Sequence, residues 1–232
     1  MKKGIVLPQH EVDPSEVLEA AKLAEEAGLD SVWLIDHLHG RPDPKRPILE
    51  LGAMLPAVAQ ATRRVSVGPL ILRIGLRLPA VAAAMVRTVD MVAAGRLIVA
   101  LGLSDANNAD EQQSYGLPLE PRERRLETMR ETITSIRQAV PDTPIWIGGA
   151  GNDLVEMVRT VEGWNFWGKV VDMEGPLERL RSSGFGGVVS WAGPPPGKEG
   201  WDSLRAMGVD HVIVATGKDN YRERITKLAS RL

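Results

Sequence analysis

Residues 14–37 read PSEVLEAAKLAEEAGLDSVWLIDH and decide the fold, because they contain one helix and the strand that follows it. Asp13 before Pro14 is typical of a helix start: the carboxylate caps free backbone N–H groups, and proline at the first helical position has no N–H to satisfy. Gly28 lies where the helix should end, at a position that favours a left-handed residue. The apolar run SVWLI then predicts a buried strand.

The same alternation of a short aliphatic run and an amphipathic helical stretch recurs along the chain. Parallel neighbouring strands need a crossover that covers a sheet face, so the repeat predicts a parallel sheet flanked by helices. The predicted strands are Gly4–Pro8, Asp30–Asp36, Val65–Leu72, Leu97–Leu103, Pro144–Gly149, Gly163–Trp167, Gly187–Trp191 and Asp210–Thr216. The predicted helices are Pro14–Ala27, Pro47–Ala61, Pro79–Ala94, Pro121–Ala139, Asn152–Val161, Pro176–Ser183, Glu199–Met207 and Asp219–Leu232.

Eight such units suit either a closed barrel or an open doubly wound sheet. The strand count and the length of 232 residues favour closure. No linker or change of composition marks a second domain. We therefore predict an α/β fold, a single compact (β/α)8 TIM barrel over residues 1–232.

Composition narrows the classes of partner. The 28 Lys and Arg residues against 30 Asp and Glu give a net charge of −2, which leaves no basic excess for a nucleic acid or an acidic membrane surface. The absence of cysteine excludes disulfides, thiolate metal sites and a cysteine nucleophile. Glu11 and Asp13 interrupt any apolar core of a signal peptide, and no apolar stretch is long enough to cross a membrane. We expect a cytoplasmic protein with a small-molecule substrate.

In a TIM barrel, functional groups gather on the loops that follow the strands. Asp36 and His37 end the second predicted strand, and a carboxylate beside an imidazole suits proton transfer. The structural alternative is a helix cap by Asp36 and a loop hydrogen bond from His37. Asp105, after the fourth predicted strand, is a second candidate for proton handling, or else a residue that caps a turn.

Two other rim features have alternative interpretations. The glycines of residues 148–151, before a predicted helix, favour a phosphate site, although a tight strand-to-helix turn also requires glycine. His10, His37 and His39 leave a metal-dependent barrel hydrolase as an alternative. No further histidine lies at the rim to complete a ligand set, so we assign no metal ligand.

Several short segments carry a family resemblance through their order and spacing between residue 4 and about residue 168. They are Ala24–Trp33 running into Asp36-His37, Ala61–Val65 with Val67-Gly68, Arg77 with Pro79-Ala80, Gly95–Leu97 with Leu101–Leu103, Tyr115–Pro118, Arg125–Glu127 and Pro144–Gly149. Together they resemble the luciferase-like monooxygenase superfamily, and within it the oxidoreductases that use the deazaflavin coenzyme F420.

The resemblance implies that the barrel holds F420, or alternatively FMN, on its C-terminal face. The segment Gly102–Asp105 is similar to the segment after strand four of relatives, with Asp105 in place of their glutamate. The Leu70-Ile71 position is similar to one where relatives carry a non-proline cis peptide. The cofactor-binding residues implied are Asp36, Leu70, Ile71, Gly102, Ser104, Asp105, Asn108, Gly149, Ala150, Gly151 and Asn152.

The implied activity is hydride transfer between F420 and a small organic substrate. His37 would donate or accept the proton, Asp36 would orient the cofactor or His37, and Asp105 would be a supporting acid. These acids favour F420 over FMN, because a ring that reacts poorly with oxygen needs the protein to manage its proton.

Two departures from the family pattern concern the rim. Residues 139–143 lead straight into the fifth predicted strand, where relatives have a longer segment, and an insertion near strand seven is missing. These shortened loop insertions leave a non-catalytic flavin-binding barrel as an alternative.

The second and third predicted helices, Pro47–Ala61 and Pro79–Ala94, carry few charges for barrel helices. An apolar surface of this extent favours an interface, so we expect a homodimer.

Overall fold

The computed structural model describes residues 1–40 and 43–231. These residues form a closed barrel of eight parallel strands in sequence order, in which the last strand pairs with the first. The strands are β1 (Lys2–Val6), β2 (Ser31–Leu34), β3 (Ser66–Arg73), β4 (Val99–Gly102), β5 (Ile145–Gly148), β6 (Gly163–Trp167), β7 (Val188–Gly193) and β8 (His211–Val214). The predicted (β/α)8 barrel is confirmed, and the open sheet is wrong.

The helices surround the barrel and connect successive strands. They are α1 (Pro14–Glu26), α2 (Leu51–Ala61), α3 (Pro79–Ala93), α4 (Ala109–Ser114), α5 (Arg122–Ala139), α6 (Val155–Val158), α7 (Glu174–Ser182), α8 (Lys198–Ala206) and α9 (Tyr221–Ala229). Within the described ranges, no helix is long and apolar enough to cross a membrane.

Apolar side chains pack in two layers. The larger layer lies between the outward faces of the strands and the inner faces of the helices. The smaller one fills the barrel itself, where the Trp33 and Trp146 rings lie 5.3 Å apart between centroids. Because side chains fill the interior, a ligand must bind at one end of the barrel rather than inside it.

Three helical elements differ clearly from the sequence prediction. The helix predicted over Asn152–Val161 is a 3₁₀ turn at Asn152–Leu154 followed by the single turn of α6. Helix α4 was not predicted, because its sequence ADEQQS is short and polar and has no apolar periodicity. The helix expected from Pro47 begins at Leu51, since the Glu50 side chain caps it by accepting Ala53 N–H at 2.8 Å.

Candidate active site

The carboxyl ends of the strands surround a cavity of about 460 Å³. This volume is within the usual range of roughly 300–1,000 Å³ for small-molecule sites. The predicted site residues that line it are Asp36, His37, Leu70, Ile71, Ser104, Asp105, Asn108, Gly149, Ala150 and Gly151. Gly102 and Asn152 do not line the cavity, so their contact with a cofactor stays a prediction without support from this geometry.

A buried acid that sequence reasoning missed holds His37 at the cavity. His37 Nδ1 lies 2.9 Å from Oε2 of Glu111, whose side chain is 2% exposed on α4. The same carboxylate accepts the Leu38 backbone N–H and, at 2.7 Å, Nη1 of Arg73. Burial alone would raise the pKa of Glu111, but these hydrogen bonds and the Arg73 charge outweigh burial and lower the pKa to about 2. Glu111 is therefore a carboxylate.

Arg73, the last residue of β3, connects three loops of the rim. Its side chain is buried, and besides Glu111 it donates to Asp36 O at 3.2 Å and to Gln112 Oε1 at 3.3 Å. A guanidinium removed from water requires several acceptors, because an unpaired buried charge is costly. Arg73 thereby fixes α4 against the loop that carries His37.

Asp36 forms an ion pair rather than a helix cap. Its two carboxylate oxygens accept Nη1 and Nη2 of Arg77 at 2.7 and 3.0 Å, and one of them also accepts the Arg73 backbone N–H at 2.9 Å. The Asp36 side chain is 1% exposed. A bidentate contact of this kind is the strongest geometry for a charged pair. Asp36 therefore ties the loop after β2 to the loop after β3, beside the cavity that it lines.

Asp105 caps the 3₁₀ turn at Ala106–Asn108, the structural alternative of the sequence analysis. The Asp105 carboxylate accepts Asn107 N–H at 3.0 Å, while Asn108 Oδ1 accepts the Asp105 backbone N–H at 3.2 Å. The residue is exposed at the cavity margin. Its expected role as a supporting acid stays a prediction, and the carboxylate that contacts His37 is that of Glu111.

The peptide between Leu70 and Ile71 is cis, as the resemblance implied, and both residues line the cavity. A side chain at Gly102 on β4 would overlap Ile71, and one at Gly148 on β5 would lie 3.0 Å from Ile71 Cγ2. Gly102 therefore makes room for Ile71, which explains why it does not itself face the cavity.

The loop after β5 offers backbone and a nearby cation. Gly149 has φ +129°, which favours glycine, and the loop is exposed at Gly149 and Ala150. Arg122, at the start of α5, lines the same part of the cavity and pairs with Asp153 through Nη2 at 2.7 Å. Because α6 is a single turn, the helix dipole adds less to a phosphate site than we expected.

The histidines of the metal hypothesis have separate environments. His10 Nδ1 is buried and has no hydrogen-bond partner among the described residues, and burial, with the Arg46 charge, lowers the pKa of His10. His39 Nδ1 contacts Gly40 O at 2.9 Å, and its ring packs near Tyr115. Over the described residues, no three His, Cys, Asp or Glu side chains converge as a metal site would require.

Besides Glu111, which does not itself line the cavity, sequence reasoning assigned no site role to several residues that do. They include Arg73, Arg122, Asn165, Phe166 and Trp167. Trp167 ends β6 and is 51% exposed, which is unusual for a tryptophan and favours contact with a ligand. The available signal for Trp167 was its position at the carboxyl end of a predicted strand.

Comparison with known proteins places these features in a family. The model of the family described as luciferase-like monooxygenase matches residues 1–181. Over 140 residues the chain is 35% identical to an F420-dependent glucose-6-phosphate dehydrogenase of Amycolatopsis mediterranei strain U-32, an alignment that covers 60% of this chain and 41% of that protein.

A second relative is the 5,10-methylenetetrahydromethanopterin reductase of Archaeoglobus fulgidus, 29% identical over 117 residues, which are 50% of this chain and 31% of the reductase. The matched region is thus less than half the length of either curated relative.

Among solved structures, an F420-dependent secondary alcohol dehydrogenase in complex with an F420-acetone adduct superposes with a TM-score of 0.80. The alignment covers 100% of this chain and 99% of the dehydrogenase at 16% identity. The coenzyme F420-dependent tetrahydromethanopterin reductase from Methanopyrus kandleri gives a TM-score of 0.79 at 15% identity, covering 100% of this chain and 98% of that chain. At these identities the likeness shows the fold alone.

Proposed function

The chain belongs to the luciferase-like monooxygenase family, and on that premise we propose that it is an oxidoreductase that transfers a hydride between coenzyme F420 and a small organic substrate. The observation that carries the proposal is the His37–Glu111 pair at the cavity, an imidazole held 2.9 Å from a buried carboxylate. The relatives named for F420 support the choice of cofactor.

The cavity residues suit such a cofactor. Leu70, Ile71 and Phe166 supply apolar surface, and polar groups converge on it from neighbouring loops. The Gly149–Gly151 backbone carries one methyl group in three residues, so a phosphate can approach it closely, and Arg122 lies beside it. We assign the deazaflavin ring to the apolar surface of Leu70, Ile71 and Phe166, and a phosphate of the cofactor to the Gly149–Gly151 backbone and Arg122.

When bound, the deazaflavin supplies the carbon that donates or accepts the hydride. The protein manages the accompanying proton. Because Glu111 as a carboxylate only accepts hydrogen bonds, its contact assigns a proton to His37 Nδ1. Nε2 is then the nitrogen that exchanges a proton with the substrate. Asp36, locked to Arg77, keeps the neighbouring backbone in place.

The proposal is tested by titrating the purified protein with F420 and with FMN, and by following absorbance of F420 with a panel of small alcohols and aldehydes. We expect F420 to bind more tightly and to be turned over with at least one substrate class. Preferential binding of FMN would instead identify FMN as the cofactor of this site. Tight F420 binding without turnover across the panel would favour the non-catalytic barrel.

We also propose that two copies of the chain associate through α2 and α3. Val81 and Met91 on α3 are 53% and 77% exposed, and Leu78 just before it is 72% exposed. Helix α2 carries no charged residue, and α3 carries only Arg87 and Asp90. A dimer in sedimentation velocity at micromolar concentration, lost in Met91→Lys, is the expected result; a wild-type monomer would contradict the proposal.

A further inference from the structure

Building on the proposed function, the geometry points to Glu111, and not Asp105, as the positioning residue that keeps the proton of His37 on Nδ1. The assignment separates two acids that follow the same strand, β4. One caps a turn at the surface, and the other is buried against the imidazole.

Glu111 is immobilised by donors on both of its oxygens. Oε1 accepts the Leu38 backbone N–H, and Oε2 accepts Arg73 Nη1 at 2.7 Å together with His37 Nδ1 at 2.9 Å. Because Leu38 follows His37 directly, the Glu111 carboxylate holds both the His37 ring and the backbone of the loop that carries it. Arg73 is itself fixed by Asp36 O and Gln112, so the carboxylate cannot turn away without leaving a buried cation short of an acceptor.

The tautomer of His37 follows from these contacts. Nδ1 has two polar neighbours, Glu111 Oε2 at 2.9 Å and the donor Arg73 Nη1 at 3.4 Å, and Nη1 makes its shorter contact, 2.7 Å, with Glu111. The closer neighbour of Nδ1 is thus a carboxylate, which offers lone pairs and no proton, so we infer that Nδ1 carries the hydrogen. A neutral ring has one N–H, and Nε2 is therefore left with a lone pair. Glu111 also stabilises the imidazolium formed when Nε2 takes up a proton, as carboxylates do in other imidazole–carboxylate pairs.

Asp105 cannot perform this function in the observed arrangement. Both of its oxygens are engaged by Asn107, through the backbone N–H at 3.0 Å and the side-chain Nδ2 at 3.3 Å. The residue lies on the exposed margin, where water competes for the carboxylate. Its position in the sequence motif therefore does not identify the acid that contacts the histidine.

The test measures the tautomer directly by long-range ¹H–¹⁵N correlation of the imidazole rings in the cofactor-free full chain, with the His37 signal assigned by its loss in His37→Asn. We expect wild-type His37 to be the Nδ1–H tautomer at a pH where the ring is neutral. Glu111→Met, which is of similar size and has no acceptor oxygen, should shift the population towards Nε2–H, because an Nδ1–H then loses its acceptor while Arg73 Nη1, 3.4 Å away, can donate to a bare Nδ1. Glu111→Asp, which keeps the charge, should retain more of the Nδ1–H form.

Glu162→Met is the matched control. Glu162 is also a carboxylate that pairs with an arginine, Arg137, and accepts a backbone N–H, that of Ile145 at 2.8 Å, but it lies away from the cavity. This control should leave the His37 tautomer unchanged. In the F420 assay we expect Glu111→Met to lower kcat by roughly 10²-fold, inside the range lost with a general acid or base, while the Kd for F420 changes little.

The outcomes separate this inference from the proposed function. A wild-type His37 in the Nε2–H form, or an unchanged tautomer in folded Glu111→Met, would overturn the positioning role whatever the enzyme does. An Nδ1–H form that depends on Glu111 supports the role even if no substrate reacts with F420, in which case only the proposed function fails. If Glu111→Met does not fold, the wild-type spectrum and Glu111→Asp still decide.

Discussion

The two ends of the barrel use histidine in opposite ways. At the carboxyl ends of the strands, His37 is 23% exposed beside a buried carboxylate. At the other end, His211 on β8 is 2% exposed and packs edge-on against Trp33 and Trp146. Its Nε2 lies 2.8 Å from Ser31 Oγ.

Burial, together with a hydrogen bond to Ser31, suits a neutral imidazole at that second site. The Trp33 indole N–H donates to Ser31 Oγ at 2.6 Å, so the hydroxyl has its own proton to donate to His211 Nε2. Burial, with the charges of Lys2 and the N-terminus, lowers the pKa of His211 to about 3. The comparison teaches that access and a charged partner, not the residue type, separate the proposed proton-transfer histidine from a neutral core residue.

The strongest way to break this comparison is to remove the rim imidazole. We expect His37→Asn to reduce turnover by about 10²- to 10⁴-fold, the usual contribution of a general acid or base, with F420 still bound. Steady-state kinetics give kcat, and a titration with F420 gives the Kd for the cofactor.

His39→Asn is the matched control, because His39 lies on the same loop but outside the cavity lining, and it should turn over at a rate close to wild type. Near-normal turnover of His37→Asn would remove the proposed role of the rim histidine.

Replacing Asp36 tests whether its ion pair with Arg77 at the rim stabilises the fold. Asp36→Asn leaves the partly buried Arg77 with a weakened partner, and we expect a loss of about 3 kcal/mol in the free energy of unfolding, as for other broken buried pairs. Chemical denaturation measures it. A stable variant with a large loss of F420 affinity would instead make Asp36 chiefly a cofactor contact.

At the other end, His211 should make stability depend on pH. Its folded pKa of about 3 lies below the ordinary value of 6.5, so on acidification the unfolded chain binds a proton that the folded chain does not. The stabilisation is complete above pH 6.5 and declines as pH falls towards 3. Between pH 6.5 and 5 wild type should lose about 2 kcal/mol more than His211→Gln.

The measurement for His211 is urea denaturation of both proteins at closely spaced pH values. The comparison uses the difference in slope, so a constant loss of stability in the variant does not affect it. Parallel pH profiles would show that the buried histidine is not held neutral.

The smallest effect concerns the loops. Gly151→Leu should weaken F420 binding several-fold, since a side chain there meets Asp153 Oδ1 at 2.5 Å and Arg122 Nη2 at 2.6 Å and extends towards the cavity that Gly151 lines. Gly186→Leu, before β7 at the opposite end, has open space around it and should leave the affinity unchanged. Equal F420 affinities of the two variants would show that the loop after β5 does not contact the cofactor.

The sequence predicted the end of the barrel better than the contacts made there. Strand alternation is enough to place His37 and Asp105 on one rim, because parallel strands present their carboxyl ends together. It does not tell which way a carboxylate turns, and Asp105 turns to its own backbone.

Glu111 was beyond prediction for a different reason. Its partners Arg73 and His37 lie 38 and 74 residues away, so only the closed barrel brings them together. Burial of Glu111 inside a polar run gave no periodic signal. Motif resemblance favoured Asp105 because it reads position along the chain rather than side-chain direction.

The seating of Ile71 over two glycines has a consequence for protein engineering. The Ile71 side chain lines the cavity and occupies space that Gly102 and Gly148 leave free. The size of residue 71 therefore limits the depth of the cavity, and the two glycines accommodate that residue. Enlarging the glycines first would collide with Ile71, whereas shortening Ile71 opens the floor without a clash. A redesign for bulkier substrates should therefore begin with Ile71→Ala, and only then add methyl groups at the glycines to reshape the new floor.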